Sequence, residues 1–176
     1  MLATIVGKRG KGKTTLAREI VLGKNSDRLC DPAGSPDYDR VFILDCLGEF
    51  LDLASERIKV VLFDEQNYYL FLREVWDQAG NDHSTLLVLD EVHLYGKENP
   101  TIKMLYRLGR HWRLDILAIG HRFADLPVIT RSLTTKFYLF QITEPIDVDY
   151  LRRIVSPEIL RLIMTLPDFK YTIVRL

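Results

Sequence analysis

The sequence predicts an α/β fold, a mostly parallel sheet with helices on both faces, forming a single domain over residues 1–176. Three observations carry that prediction. Short apolar runs alternate with segments of helical period along the whole chain, the pattern of parallel strands linked by crossover helices. A glycine-rich turn separates the first apolar run from the first helical one. The chain of 176 residues, 47% hydrophobic, fits one domain with a sizeable core.

Taken in order, strands are expected near 2–6, 41–45, 58–63, 85–90, 114–119, 136–142 and 170–175. Each is an apolar run of four to seven residues bounded by polar or turn-forming residues, as expected of strands buried on both faces. Helices are expected near 13–22, 68–79, 100–110, 126–133 and 147–165, the last interrupted at Ser156-Pro157. The first stops at Gly23, a usual helix terminator. Between Lys24 and Arg40 the chain is rich in Pro, Gly, Ser and Asp and reads as a mobile surface loop. Tyr68, Tyr69, Phe71 and Trp76 are spaced for a core-facing helix rather than for base stacking.

Lysine plus arginine and aspartate plus glutamate each number 24, so the net charge is zero. That balance excludes a static nucleic-acid coat, whose affinity would rest on excess positive charge. It leaves room for a motor that touches its polymer through a few loop residues. Cys30 and Cys46 have neither metal-ligand spacing nor a disulfide framework, which suits a reducing compartment, and Cys46 ends an apolar strand as a small hydrophobe. His83, His93 and His111 have no ligand spacing and read as polar surface residues. No stretch reaches membrane-spanning length and no signal peptide is visible, so a cytoplasmic protein is expected.

Chemistry concentrates in two places. Gly7-Lys8-Arg9-Gly10-Lys11-Gly12-Lys13-Thr14 is a full phosphate-binding loop between strand and helix. Backbone amides and the helix dipole converge there on an anion, so Gly7, Gly10, Lys11, Gly12, Lys13, Thr14 and Thr15 are the candidate nucleotide-binding residues. Lys13 reaches the β/γ-phosphates and Thr14 offers a hydroxyl to Mg²⁺. About 75 residues further on, Leu86-Leu87-Val88-Leu89 ends in Asp90-Glu91. Strand alternation turns the two carboxylates to opposite sides. Asp90 then holds the Mg²⁺ shell, and Glu91 polarises the attacking water as general base. The pairing points to hydrolysis of a nucleoside triphosphate, ATP with Mg²⁺. Four arginines within sixteen residues, Arg107, Arg110, Arg113 and Arg122, suggest a helix end or an arginine finger supplied to a neighbouring subunit.

These features resemble the HerA/FtsK superfamily of ring-forming DNA-pumping ATPases, over nearly the whole chain. The resemblance runs through Gly7 to Thr14, Val41-Phe42-Ile43-Leu44-Asp45 with Gly48-Glu49-Phe50, the strand ending in Asp90-Glu91, Gly109-Arg110, and Arg122-Phe123. It implies a RecA-like, ASCE-type P-loop NTPase fold, with Arg110 acting in trans. The position where the family usually carries a glutamine sensor holds His121, which implies a γ-phosphate sensor and a pH dependence near neutrality. The absence of added domains looks like the genome-packaging ATPases of internal-membrane, double-jelly-roll double-stranded DNA viruses. Implied partners are duplex DNA, further copies in a ring, and a capsid or membrane-vertex docking partner, in host cytoplasm or virion. DNA contacts are expected around Tyr95-Gly96-Lys97 and Arg122 to Asp125, while Lys8, Arg9 and Lys11 suggest nucleotide attraction or subunit pairing. Two other readings compete: a nucleotide or metabolite kinase with an arginine lid, and an ATP-gated assembly or signalling module without turnover.

Overall fold

A computed structural model describes residues 1–25, 38–79, 83–95 and 99–176. One seven-stranded sheet organises them: β1 (Leu2–Val6), β2 (Arg40–Asp45), β3 (Ile58–Leu62), β4 (Thr85–Leu89), β5 (Leu114–Gly120), β6 (Lys136–Leu139) and β7 (Thr172–Arg175). Their spatial order is β3-β2-β4-β5-β1-β6-β7. All neighbours pair in parallel except β7, which runs antiparallel to β6 at the edge. Every residue of β1, β4 and β5 is buried, which is why these runs are mostly apolar rather than alternating, with Thr4, Thr85 and Asp115 as buried polar exceptions.

Six helices connect the strands: α1 (Lys13–Val21), α2 (Tyr68–Gln78), α3 (Pro100–Leu108), α4 (Val128–Leu133), α5 (Pro145–Leu151) and α6 (Pro157–Thr165). The starts of α3 and α6 follow one rule. Asn99 and Ser156 accept hydrogen bonds from the amides of Ile102 and Ile159, and a proline follows each cap. The break expected at Ser156-Pro157 is present: α5 ends at Leu151, and α6 begins at Pro157 behind the Ser156 cap.

The faces are unequal. Leu86, Val88, Leu117 and Ile119 pack with Leu16, Ala17 and Ile20 of α1. Leu87, Leu89, Ile116 and Ala118 join the opposite cluster, which receives side chains from α2, α3, α5 and α6. Phe71 of α2 is buried there and Tyr68 and Trp76 pack against it, but Tyr69 is exposed. The strands expected to reach 90 and 142 end at Leu89 and Leu139. Most of the expected loop from Lys24 to Arg40, including Cys30, lies outside the described residues. Among the described residues no helix is long and apolar enough to cross a membrane.

This order has one consequence for function. β5 sits between β1 and β4. The residues leaving the C-terminal ends of β1, β5 and β4 therefore meet in one crevice, where open α/β sheets bind ligands.

Candidate active site

The chain leaves β1 into the glycine loop, and the glycines there serve different needs. A Cβ at Gly7 would stand 2.5 Å from Cβ of Phe140, so this position is closed to any side chain. Gly12 has φ 100°, a left-handed conformation, and caps α1 without any side-chain hydrogen bond. The first amides of α1 are thus left to an outside acceptor.

Lys13 opens α1 and is only 6% exposed. Burial lowers its pKa, opposed by the nearby Glu91, Asp90 and Glu49 carboxylates. Its Nζ donates to the Lys8 carbonyl at 3.0 Å and lies 2.9 Å from Nδ1 of His121. A lysine ammonium can only donate, so Nδ1 accepts and the imidazole proton sits on Nε2. That nitrogen lies 2.6 Å from Oε1 of Glu91. The result is a continuous chain, Lys13 to His121 to Glu91, built from residues 108 and 30 positions apart. Burial, with the Lys13 charge beside it, depresses the His121 pKa below its ordinary 6.5. The imidazole is therefore neutral at neutral pH, and the expected dependence moves to the acid side.

Asp90 and Glu91 both line the pocket beside Lys13, Thr14, Glu49 and His121. Strand alternation does not separate them as expected, because β4 ends at Leu89 and Glu91 has φ 45°. The turn separates their partners instead. Asp90 Oδ2 accepts the Cys46 amide at 3.2 Å, whereas Glu91 faces His121. Burial raises the Asp90 carboxyl to about 7, with Glu91, Asp45 and Glu49 adding to the effect and the Cys46 amide opposing it. The Cys46 thiol is pushed up to about 12 by burial and, in addition, by Asp90, Glu91 and Asp45, so it is no nucleophile at neutral pH. Oε2 of Glu91 is enclosed, 3.2 Å from Nδ1 of His93, yet accepts no aligned hydrogen bond. His93, expected to be a plain surface residue, thus borders the site.

Sequence reasoning gave Glu49 no role. Its carboxylate Oε2 accepts the Thr14 hydroxyl at 2.8 Å. The loop that brings it there is wound around Asp45, whose carboxylate accepts the amides of Leu47, Gly48, Glu49 and Phe50 at 2.8–3.2 Å. Arg18 of α1 clamps the same loop through the Glu49 carbonyl and both carboxylate oxygens of Asp52. The signal was present as Asp-x-x-Gly-Glu, but the contact spans 35 positions and needs the turn to be known.

Thr14 and Asp90 fit a Mg²⁺ site. Among the described residues no three His, Cys, Asp or Glu cluster to hold a metal alone. Mg²⁺ does not need such a cage, because it is held by one or two protein ligands together with substrate phosphates.

Other candidates lie elsewhere. Lys11 pairs with Asp168, and Lys8 bonds Thr143 at 2.8 Å and Glu144 at 3.1 Å, so within this loop Arg9 is left to line the pocket. Arg122 lies 3.6 Å from Asp147, which also accepts the Ala124 amide, tying the 122–125 loop to α5. Arg110 falls in a short 3-10 turn, Gly109–Trp112; its side chain, like Gly96 and Lys97, lies outside the described parts. A larger apolar hollow lies at the opposite end of the strands, by Met1, Leu105, Leu114 and Leu176, and among the described residues that line it there is no Asp, Glu or His side chain.

No family model matches the chain, and no curated protein does. Solved structures do. The genome packaging NTPase B204 of Sulfolobus turreted icosahedral virus 2, in complex with AMPPCP, superimposes with a TM-score of 0.77 at 19% identity, over 99% of this chain and 91% of that one. The DNA-packaging ATPase B204 of Sulfolobus turreted icosahedral virus gives 0.73 at 19% identity over the same shares. ATPases 2 and 3 of Thermomonospora curvata EccC, in complex with a signal sequence peptide, give 0.59 at 14% identity, over 80% of this chain and 30% of that one. The likeness is one of fold, and the chain has the fold of these viral genome-packaging NTPases.

Proposed function

We propose that this protein is a Mg²⁺-dependent ATPase that drives duplex DNA into a viral particle, working as a ring of identical subunits. The observation that carries the reading is the hydrogen-bonded chain Lys13–His121–Glu91, buried at both ends, beside an uncapped helix N-terminus. Lys13 and the loop amides take the β- and γ-phosphates. Glu91 accepts the proton of a water that attacks the γ-phosphorus, the bond to the bridging oxygen breaks, and ADP and phosphate leave. His121, neutral with its one N–H on Nε2, gives that bond to Glu91 in this structure; as γ-phosphate sensor it redirects the N–H to the phosphate, freeing Glu91 and adding no charge. Thr14 and Asp90 hold Mg²⁺, which when bound offsets charge on the phosphate oxygens.

DNA as cargo extends to this chain what the similar packaging enzymes are named for; the duplex substrate, the ring, and docking on a capsid or membrane vertex, in host cytoplasm or virion, follow from the resemblance to the HerA/FtsK superfamily. Arg110 keeps the trans role that the resemblance implies. In the test, wild type and Glu91→Gln are compared for ATP binding and for turnover with and without duplex DNA. Retained binding with turnover reduced about 10²–10⁴-fold supports the base role. DNA-stimulated release of phosphate, with no phosphorylated small molecule, supports a motor over a kinase. Unchanged turnover in the variant removes Glu91 from the mechanism.

A further inference from the structure

Resting on the nucleotide-site reading, we infer that Phe169 is the platform on which the base of the bound nucleotide stacks. The described chain passes from α6 to β7 through Leu166-Pro167-Asp168-Phe169-Lys170. Two features fasten this loop to the glycine loop. Lys11 is ion-paired with Asp168, and Phe169 lies so close to Gly12 that a Cβ there would stand 3.0 Å from the ring. Phe169 itself has φ 62°, a left-handed conformation that a bulky residue adopts only against a steric cost. Nothing hydrophobic rewards that cost, because the side chain is 67% exposed. It lines the same pocket as Lys13, Thr14 and Thr15. Residues held in sparsely populated backbone regions cluster at active sites and ligand clamps.

The chemistry matches a nucleobase. The glycine loop and Lys13 supply amides and positive charge for phosphates, and none of that recognises a base. An exposed aromatic ring offers a π-face, which stacks on any base and gains little from a phosphate chain. Phe140 and Tyr171 are also near, with ring centroids 5.5 Å apart, but Phe140 is fully buried. Phe169 is the aromatic ring that lines the pocket.

Binding of ATP and of inorganic tripolyphosphate, which has neither base nor ribose, to the full-length protein tests the assignment. Wild type is compared with Phe169→Ala and Phe169→Trp. Removing a stacking ring typically weakens base binding about 5- to 150-fold. For Phe169→Ala a loss of about tenfold for ATP is expected, with tripolyphosphate affinity held within about twofold. In Phe169→Trp, ATP affinity should be kept, and ATP but not tripolyphosphate should quench the added emission, measured against wild type with its own Trp76 and Trp112. Equal losses for both ligands in the alanine variant would make Phe169 a prop for the glycine loop and overturn the assignment. Unchanged ATP affinity overturns it as well. Failure of wild type to bind either ligand instead brings down the nucleotide-site reading, and the platform with it.

Discussion

The two halves of the pocket are built by opposite means. On one side Lys13 and Glu91, both buried, flank a half-buried neutral imidazole, His121, in one hydrogen-bonded chain. On the other, Thr14 is held by Glu49, an exposed carboxylate on a loop whose shape comes from backbone amides converging on Asp45. The buried half depends on protonation states, because removing charge from water shifts each group it contains. The exposed half depends on backbone geometry and is screened by solvent. Chemistry that moves protons belongs in the first half; positioning a hydroxyl for a metal belongs in the second.

The exposed half breaks most visibly through its metal requirement. Glu49→Ala takes away the acceptor that fixes the Thr14 hydroxyl. Loss of such an outer contact typically costs 10–100-fold in metal affinity. The Mg²⁺ concentration for half-maximal turnover should therefore rise by about tenfold or more, with the rate at saturating Mg²⁺ largely recovered. Glu49→Gln, which can still accept the hydroxyl, should restore most of the loss. An equal fall in rate at every Mg²⁺ concentration would place Glu49 in the chemistry instead.

The buried half answers to pH. His121 has a depressed pKa in the folded protein, caused first by burial and then by the Lys13 charge, while Glu91 opposes it and His93 adds to it. Its neutral form is complete above the ordinary histidine value of 6.5 and is lost as pH falls through the lower folded value. Protonation would put a cation beside Lys13 and remove the Nδ1 acceptor. In wild type at saturating Mg²⁺, which when bound keeps Asp90 ionised, kcat/KM should hold through neutrality and fall about tenfold per pH unit once His121 protonates. In His121→Gln that limb should disappear or lose its slope. Matching profiles for the two proteins would mean that another group sets the acid limb. Stability follows the same sign, since the unfolded state binds the proton first as pH falls below 6.5.

How much of this was legible follows the same divide. The glycine loop and Asp90-Glu91 are contiguous, and their chemistry can be read from neighbouring residues. His121 was reachable only through the family resemblance; the sheet order, which brings the end of β5 between β1 and β4, is what puts it in the crevice. Strand alternation failed at Glu91, since period-two reasoning assumes extended backbone and φ there is 45°. Glu49 and Phe169 stayed out of view for a different reason. Each reaches the pocket through a turn, and a turn set by Asp45 or by the Lys11–Asp168 pair leaves no periodic trace. Lys8 and Lys11 look free in sequence only because Glu144 and Asp168 lie beyond residue 140.

Asp90 joins the two halves, and its effect on stability is the smallest shift expected. Its carboxyl is raised to about 7, mainly by burial, from an ordinary 3.8. A group whose pKa rises on folding contributes its full stability below the unfolded value and loses it as pH climbs through the folded one. Wild type, without nucleotide and with a chelator present, should therefore lose stability between pH 3.8 and about 7 on account of this residue. Asp90→Asn keeps an acceptor for the Cys46 amide and never ionises. The variant should melt at about the wild-type temperature near pH 4 and a few degrees above it beyond pH 7, since 1 kcal/mol corresponds to about 2–4 °C for a chain of this size. ATP turnover should be lost across the same range, because the amide cannot replace the carboxylate at the metal. A melting difference that does not change with pH would show that Asp90 is no more costly folded than unfolded. A stabler, inactive protein would show that the site holds its metal ligand charged at the expense of the fold, the usual conflict between stability and activity.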